Sequence, residues 1–483
     1  MYAGRQIHLE RGLFMGTIIS NLYKLIQETG NLIELEESVR LFMYDVVASQ
    51  LGEVFTRLND VIVKDKQGLG WTVERNDSRE VQFTFGWVEY MHTLMHDPQG
   101  NPHYPFDEWV GLKKYHRRSP FVEVKVAEMA SESTYRETAR TLKEWTAVDI
   151  SHTTVGTIIK QVGEAQAKAD KEMVVELEEA AELPKGEEVD YLYAEADGVF
   201  VRGTEKKKSH EVRHAIIYEG WDKNGKRVSL HNPRVIMTTQ PTVDFWKEVQ
   251  AFTANQYSLE KTQVVTNSDG GPGYTAEKFQ ETFSQSNYPV LNQLDAYHVF
   301  QGLNRALGAK QSKYKDGLRK ALKDHNLDHF NLWLDTYEST LDDSKKIEKV
   351  GTFRSYILNN WDRIMDWREC IDNRPENARS LGAMESNQRH VSYRMKKRGM
   401  HWSPKGAEAM VKIKQGILNG TLREVYLKDQ KRSARKQREV KKAVRMSQIL
   451  RQPVRPSIGA KQGAIGVYTA HSSAIGKLAK SFS

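Results

Sequence analysis

"VVTNSDGGPGYTAEKF", residues 264–279, runs a strand, a turn and a helix together. An apolar, strand-like run ends at Asp269, three glycines and a proline follow, and a helix-like run begins near Thr275. That order is a unit of an α/β fold. The carboxylate has two readings. It is the first residue of a turn, or it lies where ligands collect at the carboxyl ends of strands and holds a metal ion.

The flanking sequence extends the pattern. "VDYLYAEADGVFVRG" (189–203) reads as a strand whose two-residue period puts Tyr191, Tyr193, Glu195, Asp197 and Val199 on one face. Two carboxylates on an otherwise apolar strand need a reason, because burying a charge is costly unless it is paired or binds a metal. "EVRHAIIYEGWDKNGKRVSL" (211–230) reads as a hairpin turning at "DKNGK". Then come a helix in "TVDFWKEVQAFTANQ", the strand "TQVVTNSDG", a helix in "TAEKFQETFSQ", the short strand "YPVLNQLD" and the helix "AYHVFQGLNRAL". Three strands followed by alternating helix and strand predict a mixed α/β sheet. If the first strand neighbours the one ending at Asp269, Asp197 and Asp269 approach each other. Two close carboxylates repel, and a bound Mg²⁺ is the usual resolution.

Other acids could join them. Asp295 and His298 share a helix face, though from the residues alone a capping Asp and a packed His account for the pair better than a site does. Glu385 opens the helix "AMESNQRHVSYRMKKRG" (383–399), which also carries Arg389, His390, Arg394, Lys396, Lys397 and Arg398. An acid in a first turn also suits the helix dipole, so spacing alone does not select it.

The rest of the chain divides by pattern. Residues 1–70 read as helical, and 71–120 as a small β-hairpin element with turn formers in "DPQGNP". Residues 121–188 read as helical, with "YRETARTLKEW" and "SHTTVGTIIKQVGEAQ" compatible with a helix-turn-helix and also with ordinary packing. The α/β core runs over 189–311 and resumes at 376–427, around an all-helical insertion at 312–375. From 428 to 483 the chain reads as a basic helix giving way to disorder; 428–451 hold ten Lys/Arg against two Asp/Glu.

Over its 483 residues, 71 Lys+Arg against 63 Asp+Glu give a net charge of +8, which favours a polyanionic partner. The single cysteine, Cys370, excludes an internal disulfide and a cysteine-built zinc site, and suits a reducing compartment. No apolar run is long enough to span a membrane.

Taken in order, Asp197, Asp269 in "TNSDGGPGY", "LDAYHVFQGLNRALG" and Glu385 in "GAMESNQRHVSYRMKKRGMHWSPKGAEAM" resemble the DDE transposases of bacterial insertion sequences. More narrowly the chain is similar to the Mutator-related ISLre-two group, long catalogued as an uncharacterised protein family. The resemblance implies a ribonuclease H-like mixed sheet interrupted by an all-α insertion and preceded by a mainly helical DNA-binding region. The gap of 385 − 269 = 116 residues accommodates that insertion. Asp197, Asp269 and Glu385 would form the catalytic, metal-binding triad, with Asp295 and His298 as the (Cys/Asp)-x-x-His signature beside it. Arg389, Arg394, Lys396, Lys397, Arg398 and Trp402 would face DNA. Departures are the extra Gly and Pro after Asp269 and the long basic tail.

The implied chemistry is phosphoryl transfer with two Mg²⁺ ions, Mn²⁺ substituting, on double-stranded DNA: terminal inverted repeats first, then target. A homodimer or larger assembly on DNA, in the bacterial cytoplasm at the nucleoid, follows from the same resemblance. The rivals are a catalytically silent transposase-derived DNA-binding protein and a ribonuclease H-like structure-specific nuclease.

Overall fold

The computed structural model describes residues 16–429 except 207, 309 and 311; of the helical region read over 1–70, residues 1–15, and of the basic tail read over 428–483, residues 430–483, lie outside the described residues. Helix α1 covers 16–28. Helix α2 (Leu32–Gly68) starts on the Asn31 side chain, which accepts from the N–H groups of Ile33 and Glu34. Strands β1 (Thr72–Phe83), β2 (Gly86–His96) and β3 (Pro102–His103) form an antiparallel sheet, followed by the short helix α3 (Pro105–Val110). Gly52 lets α2 lie against β2, since a Cβ there would stand 2.2 Å from the Glu89 carbonyl oxygen.

Helices α4 (Pro120–Glu132), α5 (Tyr135–Trp145) and α6 (His152–Glu178) start on Ser119, Thr134 and Ser151 as N-caps. The apolar face of α6, with Val155, Ile158, Ile159 and Val162, is wholly buried. At Gly163 it meets Ala409 so closely that a Cβ would stand 2.4 Å from Ala409 backbone atoms.

The central sheet has five strands: β4 (Tyr191–Arg202), β5 (Ser209–Tyr218), β8 (Arg234–Thr238), β9 (Gln263–Ser268) and β10 (Leu291–Leu294). Between β5 and β8, β6 (Gly220–Asn224) and β7 (Arg227–His231) form a separate two-stranded ribbon. The sheet order is β10-β9-β4-β5-β8, with β4, β9 and β10 parallel and β5 antiparallel to both its neighbours. The third strand of this sheet is therefore 234–238 and not the 227–230 run expected to close the hairpin. Physically, "RVSLH" in β7 alternates between exposed and half-buried, whereas Val235, Ile236, Met237 and Thr238 of β8 are all buried. A continuous apolar run is the mark of a strand covered on both faces.

Helices α7 (Thr242–Gln256) and α8 (Ala276–Thr282) cover one face, packing Phe245, Trp246 and Phe279 on Leu192, Ala194 and Val264. After β10 come α9 (Ala296–Leu307), α10 (Lys313–Lys323), α11 (Leu327–Glu338) and α12 (Ser344–Leu358), which share their own core around Leu303, Phe330 and Phe353. Two short 3₁₀ turns, at Trp361–Arg363 and Trp367–Glu369, lead back to the sheet. Helices α13 (Ala383–Met395) and α14 (Pro404–Leu418) cover the other face, together with α6 and α4. The architecture is thus mixed α/β, with a mixed five-stranded sheet and many helices.

Candidate active site

The parallel trio of strands brings three acids near one another, Asp197 within β4 and Asp269 and Asp295 just past the ends of β9 and β10. Glu195 of β4 pairs with Asn267 of β9, so the same register, two residues on, sets Asp197 beside Asp269. Leu294 of β10 pairs with Ser268, and the Asp295 N–H donates to the Ser268 carbonyl at 2.9 Å. Asp197, Asp269 and Asp295 therefore stand on three adjacent strands or just past their ends.

Asp197 is mostly buried, and burial followed by the charge of Asp269 pushes its carboxyl up to about 6. Its Oδ1 accepts from the Gly198 N–H at 2.6 Å, and the Gln388 amide of α13 donates to Oδ2. Opposite it on β5 lies His214, wholly buried, with neither ring nitrogen hydrogen-bonded. Burial holds that imidazole down to about 3, so it is neutral at physiological pH. Nothing singled out His214 in the sequence; the available signal was one polar residue on the inward face of "EVRHAIIY".

Asp269 opens an Asx turn, its Oδ1 accepting from the Gly271 N–H at 2.8 Å. Gly270 takes φ +76°, and a Cβ there would stand 3.0 Å from Arg363 Nη1 and Asn360 Oδ1. The helical insertion clasps this turn: Tyr356 Oη donates to the Asp269 carbonyl at 3.0 Å, and Arg363 Nη2 donates to Ser268 Oγ at 2.9 Å. Asp295 is both N-cap and histidine partner. Its Oδ1 accepts from the Tyr297 N–H at 3.1 Å, and its Oδ2 lies 2.6 Å from His298 Nδ1. The Asp295 hydrogen bond raises the pKa of His298; burial opposes it, and the charges of Asp197 and Asp269 raise it further.

Glu385 is exposed in the first turn of α13, one turn before Gln388. Its helix is docked by Glu195, which is 1% exposed. That carboxylate accepts from the N–H groups of Gly382 (3.1 Å), Ala383 (3.0 Å) and Met384 (3.0 Å) and from Tyr218 Oη (2.7 Å). Among the described residues no three His, Cys, Asp or Glu side chains stand close enough to hold a metal ion. The two aspartates are brought together; Glu385 lies one turn before Gln388, the residue of that helix that touches Asp197.

Two residues expected to face DNA do not. The Arg394 side chain is fully buried: Nε donates to the Ala130 carbonyl at 2.9 Å, and the guanidinium lies over Tyr135 and Trp402. Trp402 is 4% exposed, and its indole N–H donates to the Met395 carbonyl at 3.0 Å. Both are core residues, held there by partners distant in sequence. Arg389, Lys396, Lys397 and Arg398 are exposed, with the Arg398 guanidinium 4.6 Å from the centre of the Tyr393 ring.

A mixed five-stranded sheet that brings two aspartates together from neighbouring strands, with a further helix touching one of them, defines the class: a mixed α/β protein. The chain belongs to the uncharacterised protein family UPF0236, whose family model matches residues 25–431. It is 33% identical over 423 residues to the UPF0236 protein in the vanSb 3′ region of Streptococcus gallolyticus, covering 86% of this chain and 88% of that one. It is 25% identical over 428 residues to UPF0236 protein TTE2489 of Caldanaerobacter subterraneus subsp. tengcongensis, covering 87% and 86%. Another relative from that strain, 25% identical over 426 residues and covering 87% and 85%, bears a name joining eleven designations from TTE0033 to TTE2212. No helix among the described residues is long and apolar enough to cross a membrane.

Proposed function

We propose that this protein is a DNA transposase that cleaves the ends of its own element and joins them to target DNA. The observation that carries the reading is the placing of Asp197, on one strand, beside Asp269, just past the end of its parallel neighbour, with the Asp197 carboxyl raised by burial and by the charge of Asp269. Strand order and direction support it: in sequence order the sheet runs 3-2-1-4-5 with the second strand antiparallel, consistent with a ribonuclease H-like core. A helical insertion lies between Asp269 and Glu385, as the resemblance implies. A relative whose name joins eleven designations in one strain also fits a gene that inserts repeatedly.

The donor set suits Mg²⁺. Two hard carboxylates whose mutual repulsion raises a pKa gain from a shared cation, and Asp197 and Asp269 would hold it, with Glu385 as the third acid from α13. When bound, Mg²⁺ supplies Lewis-acid polarisation of the phosphate and a more nucleophilic water or 3′-hydroxyl. The chain's own residues orient the site. Gly198 N–H fixes one Asp197 oxygen, and Gln388 donates to the other until it is displaced. The Gly271 N–H and the Tyr356 contact fix the Asp269 turn. His298, its pKa raised by Asp295, faces the same acids as a proton donor to a leaving oxygen. The test is strand transfer in vitro with duplexes from the gene's own flanks. Joined products that need Mg²⁺ support the reading, and their absence with DNA bound contradicts it.

A further inference from the structure

His214 is a buried polar group that the roles above leave unused. It has no exposed surface, and neither ring nitrogen has a hydrogen-bond partner among the described residues. A neutral imidazole carries one N–H and one lone pair, and leaving both unpaired in a core is costly. Its place supplies a reason. His214 of β5 is the cross-strand partner of Asp197, and directly opposed residues share a sheet face with Cβ atoms about 4.5–5.5 Å apart. On that face β5 also presents Val212, Ile216 and Tyr218, which share a core with Val391 and Met395 of α13. Met384, Gln388, Val391 and Met395 recur at i, i+4, i+7 and i+11, an inward stripe of α13 in which Gln388 is the one polar member. The charge of His390, two residues past Gln388, also reaches His214. An unpaired acceptor thus lies next to Asp197, whose Oδ2 already holds the Gln388 amide.

We propose that His214 is a positioning residue: when a divalent cation engages the Asp197 carboxylate, the Gln388 amide turns from Asp197 to the free lone pair of the His214 ring. The inference rests on the reading of Asp197 and Asp269 as a cation site, and deepens it by naming what receives the displaced amide. Without His214, that N–H₂ group would be left in the interior with no acceptor, and cation binding would carry the loss. With His214, one hydrogen bond replaces another. Helix α13 then keeps its seat on the sheet, with Glu385 one turn before Gln388. The side chain has only to move between two cross-strand neighbours, which the rotatable bonds of a glutamine allow.

The test uses the full-length protein with Mg²⁺, and with Mn²⁺ in parallel, and reads cation affinity by calorimetric titration. His214→Leu keeps the buried bulk and removes both ring nitrogens, so it should bind the cation about tenfold more weakly than wild type. His214→Gln keeps an acceptor and should recover most of that loss. In a Gln388→Leu background there is no amide to receive, so adding His214→Leu should leave the affinity unchanged; the double-mutant cycle isolates the coupling. A ring that only packs would weaken binding equally in both backgrounds and would not separate Leu from Gln. Selective ¹⁵N-histidine labelling gives a second readout, which stands even where His214→Leu does not fold. The His214 ring signal, assigned by its loss in His214→Gln, should move on adding Mg²⁺ to wild type and stay in place in Gln388→Leu. Equal effects in the two backgrounds, a ring signal indifferent to the cation, or a wild-type protein that binds neither cation overturns the proposal. Coupling in a protein that never cleaves DNA would leave His214 in this role and refute the transposase reading; Mg²⁺-dependent cleavage without coupling would do the reverse.

Discussion

The backbone N–H of Met384 donates to Glu195 Oε2 at 3.0 Å, so the helix that carries Glu385 begins on a side chain two residues before Asp197. Glu195 also accepts from Gly382, Ala383 and Tyr218, and every one of these partners is a donor. Glu195→Gln places an amide N–H₂ against those donors. The expected loss is about 2–3 kcal/mol, with the start of α13 releasing first. Hydrogen exchange should show lost protection at residues 382–388 before the sheet itself opens. Unchanged protection there would remove Glu195 from this positioning role.

Asp197 should cost stability while serving chemistry. Its folded-state pKa of about 6 exceeds the ordinary 3.8, so between about pH 4 and 6 the folded chain keeps a proton that the unfolded chain releases. Stability therefore falls as pH rises through that window, by about 3 kcal/mol. Asp197→Asn should abolish cleavage yet raise the melting temperature in EDTA at neutral pH, and its stability should lose most of this pH dependence. Melting curves at pH 4.5 and 7.5 for both proteins check it. A lower melting temperature for Asn at neutral pH would count against a carboxyl raised by burial and by the charge of Asp269.

Lys412 is buried without exposure between Asp170 of α6 and Glu248 of α7, at 2.6 Å from each. Lys412→Met leaves two buried carboxylates facing each other, and a loss of about 3–5 kcal/mol is expected. Chemical denaturation measures it. A loss below about 1 kcal/mol would mean that the trio contributes little.

The turn after Asp269 gives the fourth expectation. Gly270→Ala forces a side chain into φ +76° and against Arg363 and Asn360, costing about 1–2 kcal/mol and shifting the turn. Tyr356→Phe removes only the hydroxyl that holds the Asp269 carbonyl. Cleavage should fall in both variants, but the melting temperature should drop clearly only in Gly270→Ala. Equal cleavage by Tyr356→Phe and wild type would show that the insertion does not position Asp269.

What the sequence discloses depends on how far a residue's partners lie along the chain. Asp269 and the Asp295–His298 pair are legible because they follow strand ends that local patterning reveals, and Asp197 because it is a carboxylate on the inward face of an apolar strand; parallel pairing does the rest. Glu195 was visible as an unusual inward acid, but its partners are backbone N–H groups nearly two hundred residues on, at 382–384. The resemblance implies that Arg394 and Trp402 face DNA. They are buried because Ala130 and Tyr135 close around the arginine and the backbone of Trp402 pairs with Arg202 and Gly203, partners that helical spacing does not encode. The third sheet strand was misplaced because turn chemistry at "DKNGK" marks a hairpin correctly without saying which sheet its strands join. The glycines after Asp269 are legible as turn formers, whereas the close approach of the insertion's Arg363 and Asn360 to Gly270 is not.

The central claim is that Asp197 and Asp269 act as one site on DNA. Its most direct measurement is nicking of a labelled duplex from the gene's own flank by wild type, Asp197→Asn and Asp269→Asn, with Mg²⁺ and with EDTA, at matched DNA occupancy. The account predicts Mg²⁺-dependent nicks leaving a 3′-hydroxyl in wild type only, with both variants still binding. Nicking by either variant at the wild-type rate, or by wild type in EDTA, would contradict it.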